Sequence, residues 1–139
     1  MIFRSRVLVA AERPFKAREL SAVLQPEFDI VATVELGDDL MRAAEVLRPD
    51  VIVTYLELGQ LQAAEARQGA ARAPYGKLVL VTGSEGFDAT RPGLALGASA
   101  HVLKSSVADE LRLAIHAVLR GKLYLSRSLR QSYSTSEPN

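Results

Sequence analysis

The stretch LRPDVIVTY at residues 47–55 indicates the fold class more clearly than any other part of the chain. Pro49 cannot continue a helix and disfavours helical geometry in the residue before it, so a helix that carries Leu47 should end here. The apolar run from Val51 to Val53 is β-branched throughout, as is typical of a strand buried on both faces. The stretch therefore predicts a helix leading into a central parallel strand, with Tyr55 at the carboxyl end of that strand.

The same alternation of strand and helix patterns extends in both directions from this stretch. The predicted strands are residues 6–10, 29–36, 51–55, 77–81 and 100–103. Apolar β-branched runs that alternate with helical segments are the signature of a parallel sheet wrapped by helices. The chain is therefore predicted to be an α/β protein with a doubly wound sheet.

Helices are predicted between these strands and after the last one. Their segments begin at Pro14 and end before Pro26, run from Leu40 to Leu47, from Leu61 to Arg72, from near Pro92 to Gly97, and from Ser106 to Leu119. The fourth helix is expected to be short or displaced, because Pro92 lies where its middle should be. Ser106 and Asp109 match the S-x-x-D pattern of a capping box, which predicts the start of the last helix.

Length and composition indicate one soluble domain. The chain has 139 residues, of which 48% are hydrophobic and 24% charged, and its formal net charge is +1. It has no cysteine, which excludes disulfides and thiolate metal sites and suits a reducing compartment. No apolar run approaches the roughly 20 residues that span a bilayer. We expect a cytoplasmic protein without membrane contact, folded over residues 1–125, with a disordered tail or linker at residues 126–139.

Five blocks of this sequence resemble a known family. They are VLVA at 7–10, LRPDVIV at 47–53, LVLVT at 78–82, the pattern GAxAxVLK at 97–104 and the pattern AIxAVxxGxxYLS at 114–126. In these blocks, and over residues 5–125, the chain resembles the receiver domain of bacterial two-component response regulators, of the type linked to LuxR/NarL helix-turn-helix domains. The resemblance implies a flavodoxin-like (βα)5 fold with strand order 2-1-3-4-5 and chemistry at the carboxyl ends of the strands.

Carried over residue by residue, the phosphorylation pocket of that family is incomplete here. Ala11 and Glu12 stand where the family has two acids that hold Mg²⁺, and Tyr55 stands where it has the phosphoacceptor Asp. The resemblance leaves Thr82 as the hydroxyl that would contact a phosphoryl oxygen and Lys104 as the cation that would pair with the acceptor. His101 occupies the position where an aromatic switch residue is common.

This pocket is predicted to have lost its phosphoryl chemistry. Mg²⁺ sites rest on carboxylates, phosphate and water, and Glu12 alone is a poor basis for one. The neutral phenol of Tyr55 is a weak nucleophile and needs an activating base. No other catalytic or phosphate-binding motif is present in the sequence. We therefore expect no catalytic residue, no metal and no cofactor, and a chain that is not an enzyme.

Each residue of the degenerate pocket also has a structural interpretation. Tyr55 is expected to fill the old pocket and to form a hydrogen bond with Lys104 or Glu12. Lys104 is either solvated or paired with Glu12, and Thr82 shapes the loop before Gly83. His101 either titrates near neutral pH as a switch or is a structural histidine.

Two functions from different classes follow, and a third is weaker. The first is a regulatory module that associates with a protein partner or a second copy, independently of phosphorylation. By resemblance, its contact face consists of the fourth helix, the fifth strand at 100–103 and the last helix at 107–119, and DNA would be contacted only through an attached helix-turn-helix domain. The alternative is a module that binds a small anion or metabolite in the remodelled pocket. Residual phosphotransferase activity would require metal binding.

Overall fold

Six parallel strands form one sheet in the computed structural model, which describes residues 4–36, 38–56, 77–83 and 98–127. The strands are β1 (Arg6–Ala11), β2 (Asp29–Val34), β3 (Val51–Leu56), β4 (Lys77–Thr82), β5 (Ala100–Leu103) and β6 (Tyr124–Leu125). Their order across the sheet is β2-β1-β3-β4-β5-β6. The predicted flavodoxin-like order 2-1-3-4-5 is confirmed, and β6 adds a strand that was not predicted.

Three helices are described: α1 (Pro14–Leu24), α2 (Asp38–Leu47) and α3 (Val107–Leu119). Pro14 opens α1 as expected, at a position where its missing N–H breaks no helical hydrogen bond. The strand boundaries differ from prediction by one or two residues, because β1, β3 and β4 each extend one residue further and β2 ends at Val34. The third and fourth predicted helices, at 61–72 and 92–97, lie outside the described residues.

The start of α3 differs from the predicted capping box. Ser106 is the N-cap residue, but its side chain makes no capping hydrogen bond. A short 3-10 turn at Lys104–Ser106 precedes the helix and gives Ser106 φ −108° and ψ 6°. An N-cap residue usually has extended backbone geometry, so this conformation explains the missing capping bond.

The core lies on both faces of the sheet, because side chains alternate between faces along each strand. On one face, α1 and α3 cover the larger cluster, which includes Val9, Val53, Val81 and Val102 from the strands. On the other, α2 packs Ala44 against Leu8 and Ile52 of the neighbouring strands. Leu111 and Ile115 of α3 are fully buried, and each such burial contributes about 1.5–3 kcal/mol.

The chain turns back sharply after α3 to form β6. Gly121 has φ +79°, which glycine adopts without steric cost. Its N–H donates to Val118 O, and the N–H of Lys122 donates to Ala117 O, which is the Schellman pattern of helix termination. This turn directs residues 124–125 along the outer edge of β5. No helix among the described residues is long and apolar enough to cross a membrane.

Ser126 was predicted to begin the disordered tail, and the structure corrects that placement. Its side chain is fully buried, its N–H donates to His101 O at 2.9 Å, and its Oγ accepts the N–H of Leu103 at 2.9 Å. A small hydroxyl that satisfies a backbone N–H of β5 continues the sheet contacts beyond β6. The folded part of the chain therefore includes Ser126, whereas residues 128–139 lie outside the described residues.

Candidate functional site

The carboxyl ends of β1, β3, β4 and β5 bring the predicted pocket residues to one edge of the sheet. Ala11 is paired in register with Tyr55, Leu56 with Thr82, and Thr82 with Leu103. Parallel strands end at a common edge, so the residues after them form one surface. This edge is where ligands bind in open α/β sheets, and it was the predicted location.

Tyr55 lies in the main core below α1 and is only 5% exposed. Ala11, its neighbour in register on β1, is also buried and has a side chain small enough to leave room for the ring. The ammonium of Lys16 lies 5.4 Å from the centroid of the Tyr55 ring, a cation–π distance. Tyr55 therefore fills space between the sheet and α1, whereas its hydrogen bond with Lys104 or Glu12 stays a prediction.

Thr82 and His101 form a buried pair on the opposite face of the sheet. Their neighbours Val81 and Val102 belong to the core cluster that contains Tyr55, so alternation places Thr82 and His101 on the other side. Thr82 Oγ1 lies 2.7 Å from His101 Nε2 and 3.3 Å from Gly83 O. With the proton on Nε2, Thr82 accepts from the imidazole and donates to the carbonyl of Gly83, which satisfies both contacts.

His101 is neutral at pH 7. It is fully buried, and burial lowers its pKa from 6.5 to about 4, because an imidazolium would lose its hydration there. Its Nδ1 has no hydrogen-bond partner within the described part of the chain. Two alternatives were predicted for His101, a switch that titrates near neutral pH and a structural histidine. The structure favours the structural histidine, because burial lowers the pKa well below neutral pH.

Lys104 and Glu12 are both exposed at the edge of the sheet. Lys104 begins the 3-10 turn after β5 and, together with Tyr55, lines a cavity of about 240 Å³. The described lining of this cavity contains neither Ala11, Glu12 nor Thr82. The structure thus divides the predicted pocket, with Tyr55 and Lys104 on one side and Thr82 and His101 on the other. A bond between Lys104 and Glu12 stays a prediction.

Among residues 4–36, 38–56, 77–83 and 98–127, no group of three or more His, Asp or Glu side chains could hold a metal ion. Glu57 and the loop after it lie outside these ranges. The predicted loss of the magnesium site therefore stays a prediction.

The predicted contact face needs a correction at β5. All four residues of β5 are buried, and β6 covers the outer edge of this strand. Ala100 to Leu103 therefore cannot supply a contact surface while β6 is paired. The last helix does contribute exposed apolar surface, since Leu113 is 54% exposed and Leu123, just beyond the helix, is 76% exposed.

Glu110 is a functional candidate that sequence reasoning missed. Its side chain is 6% exposed, and Oε1 accepts hydrogen bonds from Tyr124 Oη at 2.7 Å and from the N–H of Arg127 at 3.2 Å. Glu110 thereby fixes the segment from β6 to Arg127 against α3. The only signal in the sequence was the position of this carboxylate between Val107 and Leu111, on the side of the helix that faces the core.

We expect Glu110→Ala to lower the free energy of unfolding by about 2 kcal/mol, because it removes two hydrogen bonds to a charged acceptor. Hydrogen exchange should also speed up at Leu125 and Ser126, whose strand these bonds hold. Glu110→Gln retains an acceptor oxygen and should lose less than half as much stability. Equal losses in the two variants, or unchanged exchange in Glu110→Ala, would contradict this role.

Comparison with known proteins identifies relatives of one class. No family model matches the chain. The uncharacterized transcriptional regulatory protein YxjL of Bacillus subtilis (strain 168) is 28% identical over 120 residues, which cover 84% of this chain and 55% of that protein. The transcriptional regulatory protein DegU of Brevibacillus brevis is 30% identical over 103 residues, which cover 73% and 44%. The chain spans about half the length of the curated relatives it matches.

Solved structures share the fold at lower identity. A LuxR-family two-component response regulator from Aurantimonas sp. SI85-9A1 has a TM-score of 0.76 and 21% identity, with coverage of 97% of this chain and 100% of that one. The isolated REC domain of RcsB from Salmonella enterica serovar Typhimurium, solved with phosphomimetic BeF3-, has a TM-score of 0.72 and 17% identity, with coverage of 93% and 98%. The curated relatives are transcriptional regulatory proteins, and the solved structures show that the chain has the fold of a receiver domain.

Proposed function

We propose that this chain is an atypical receiver domain of a two-component response regulator, and that it acts in transcriptional regulation through protein association without phosphorylation. One observation carries the proposal: Tyr55, which the resemblance places at the phosphoacceptor position, is buried in the core. A phenol packed between the sheet and α1 is poorly placed to attack a phosphodonor, and a neutral phenol is a weak nucleophile. The chain is proposed to be a binding module and not an enzyme.

The proposed contact surface is the outer side of α3 and the residues just after it. Leu113 and Leu123 expose apolar surface there, and Arg120 and Lys122 are exposed near them. Exposed apolar residues beside charges are a usual composition for a protein contact. We propose a second copy of the chain as the partner. Any contact with DNA is proposed to be indirect, through a DNA-binding domain in the parent protein.

Native mass spectrometry over a concentration series tests this proposal. We expect a dimer whose fraction rises with protein concentration and does not change when Mg²⁺ and beryllofluoride are added. Leu113→Asp should weaken the dimer about tenfold or more, because it places a charge in an apolar contact. Met41→Asp on α2, where Met41 is 43% exposed, is the matched control and should leave the dimer unchanged.

Two results would contradict the proposal in different ways. A chain that stays monomeric at every concentration would remove the second copy as partner. A dimer that forms only with Mg²⁺ and beryllofluoride would show that the pocket still senses a phosphoryl group, and phosphorylation-independent association would then be wrong.

A second candidate function, a module that binds a small anion or metabolite, is favoured by one observation. The cavity beside Tyr55 and Lys104 lies at the carboxyl edge of the sheet and is bordered by two lysines, Lys16 and Lys104. Of the residues predicted for this site, Tyr55 and Lys104 line the cavity, whereas Glu12 and Thr82 are not part of its described lining.

A further inference from the structure

The cavity of about 240 Å³ lies between α1 and the turn that joins β5 to α3. Helix α1 contributes Lys16 and Leu20, the turn contributes Lys104 and Ser105, and Tyr55 lies at the end of β3. Ligand pockets usually measure about 300–1,000 Å³, so this one fits a molecule of roughly one ring.

Most of the surface inside this cavity is apolar. Leu20, Val23 and Val107 supply aliphatic side chains from α1 and α3, and Tyr55 supplies an aromatic ring. An aromatic ligand could pack on Tyr55 in an offset or edge-to-face arrangement, which adds about 0.5–1.5 kcal/mol to the burial of its area. A fully hydrated inorganic ion would gain nothing from these walls.

The polar groups of the cavity are mainly cationic. The side chain of Lys16 is only 15% exposed, and its ion pair with Glu19 is long, at 3.9 Å, with the Glu19 side chain 59% exposed. Lys104 and Ser105 are exposed beside the cavity and add a second ammonium and a hydroxyl. The described lining of the cavity thus contains two ammonium groups and one carboxylate, that of Glu19. A carboxylate that lies between two ammonium groups forms charge-assisted hydrogen bonds with them, which are stronger than hydrogen bonds between neutral groups.

We propose that this cavity binds a small aromatic carboxylate, with the ring against Tyr55 and the carboxylate between Lys16 and Lys104. This inference rests on the second candidate function and specifies its ligand class. The apolar walls account for the ring, and the paired ammonium groups account for the carboxylate. The site lies on the α1 and α3 side of the sheet, away from Thr82 and His101.

Titration of the full chain with benzoate, followed by calorimetry and by amide chemical shifts, tests the site. We expect a dissociation constant of about 1 mM, which is ordinary for so small a ligand. Shifts should concentrate at Lys16, Tyr55, Ser105 and Val107. Benzylamine, which has a similar ring but a positive charge, and inorganic phosphate, which has no apolar part, should each bind at least tenfold more weakly.

Lys104→Gln provides the variant test, because Lys104 is exposed and its replacement should leave the fold intact. We expect about tenfold weaker benzoate binding, because the variant loses one hydrogen bond between charged groups. Arg42→Gln, which removes an exposed charge on α2 at the other face of the sheet, should bind benzoate as the parent chain does.

The possible outcomes distinguish failure of this inference from failure of the anion-binding function on which it rests. Phosphate binding at these residues without benzoate binding would overturn the aromatic carboxylate and leave the anion-binding function standing. No shift with either anion at about 20 mM, well above the expected constant, would overturn both. Benzoate binding that Lys104→Gln and Arg42→Gln weaken equally would show that it depends on surface charge in general, and would also overturn the site.

Discussion

Replacement of Tyr55 by Asp is expected to lower the free energy of unfolding by about 4 kcal/mol and to leave the chain unable to accept a phosphoryl group. The ring is 5% exposed in the main core, so its removal leaves a cavity, and large-to-small aromatic substitutions in cores cost about 3–5 kcal/mol. The new carboxylate would also lie among apolar side chains unless the strand end moved toward water. Urea unfolding and intact mass after incubation with acetyl phosphate and Mg²⁺ measure the two effects.

Tyr55→Phe is the matched control for this experiment. It retains the ring and the contact with Lys16 and removes only the hydroxyl, so we expect a loss of about 1 kcal/mol or less. If Tyr55→Asp were as stable as the parent chain, the ring would not be filling the core as the structure indicates. If it also gained the mass of a phosphoryl group, the remaining residues would still form a working pocket, and the proposed loss of phosphoryl chemistry would be wrong.

The pairing of Ala11 with Tyr55 gives this expectation a structural reason. The resemblance predicts an acid at each of these places in a working receiver pocket, whereas here a small residue lies beside a large aromatic one in adjacent strands. The small and the large side chain complement each other in volume. An acid could therefore not be introduced at either position without repacking of the core. Restoring one acid therefore disturbs a filled core before it can contribute to a metal site.

Most of the fold could be predicted from the sequence because its signals are local and repeated. The apolar runs at β1, β3 and β4 are rich in β-branched residues, and the run of β3 begins two residues after the helix-breaking Pro49. Such runs identify buried parallel strands with little competition from other interpretations. The order of the strands came from the family resemblance, and the structure confirms it.

The parts that could not be predicted depend on contacts between distant residues. Strand β6 has two residues and no period of its own, and it exists because Gly121 turns the chain back toward β5. The bond between Ser126 and Leu103 joins positions 23 residues apart in the sequence. The capping box at Ser106 failed because the 3-10 turn before it sets a different backbone angle. Sequence patterns carry no signal for such effects.

The candidate site was predicted in its members but not in its arrangement. Tyr55 and Lys104 border one cavity, whereas Thr82 and His101 form a hydrogen bond on the other face. The alternation of strand side chains separates these pairs, although both lie near the carboxyl edge. Lys16, which contributes a cation to the cavity, belongs to α1 and could not be assigned to the site from strand ends alone.

The second large effect is a loss of folding stability at acid pH, which we expect to come from His101. Because burial lowers the pKa of His101 from 6.5 to about 4, the unfolded chain binds a proton between these values that the folded chain does not. Stability from this group is therefore complete above about pH 6.5 and is lost as pH falls toward 4, with a total of roughly 3 kcal/mol at about 1.4 kcal/mol per pH unit. Urea unfolding at pH values from 7 to about 4 measures the slope.

His101→Gln removes the titrating group while leaving an amide that can contact Thr82, so its stability should fall much less steeply over this range. His116, the other histidine, is part of an exposed pair with Glu27, and His116→Gln is the matched control that should keep the steep fall. Equal slopes in the parent chain and in His101→Gln would mean that carboxylates cause the acid loss. A steep fall that only His101→Gln abolishes would establish that the buried pair with Thr82 depends on a neutral imidazole. The position that the resemblance assigns to a switch residue would then be held in one protonation state at neutral pH.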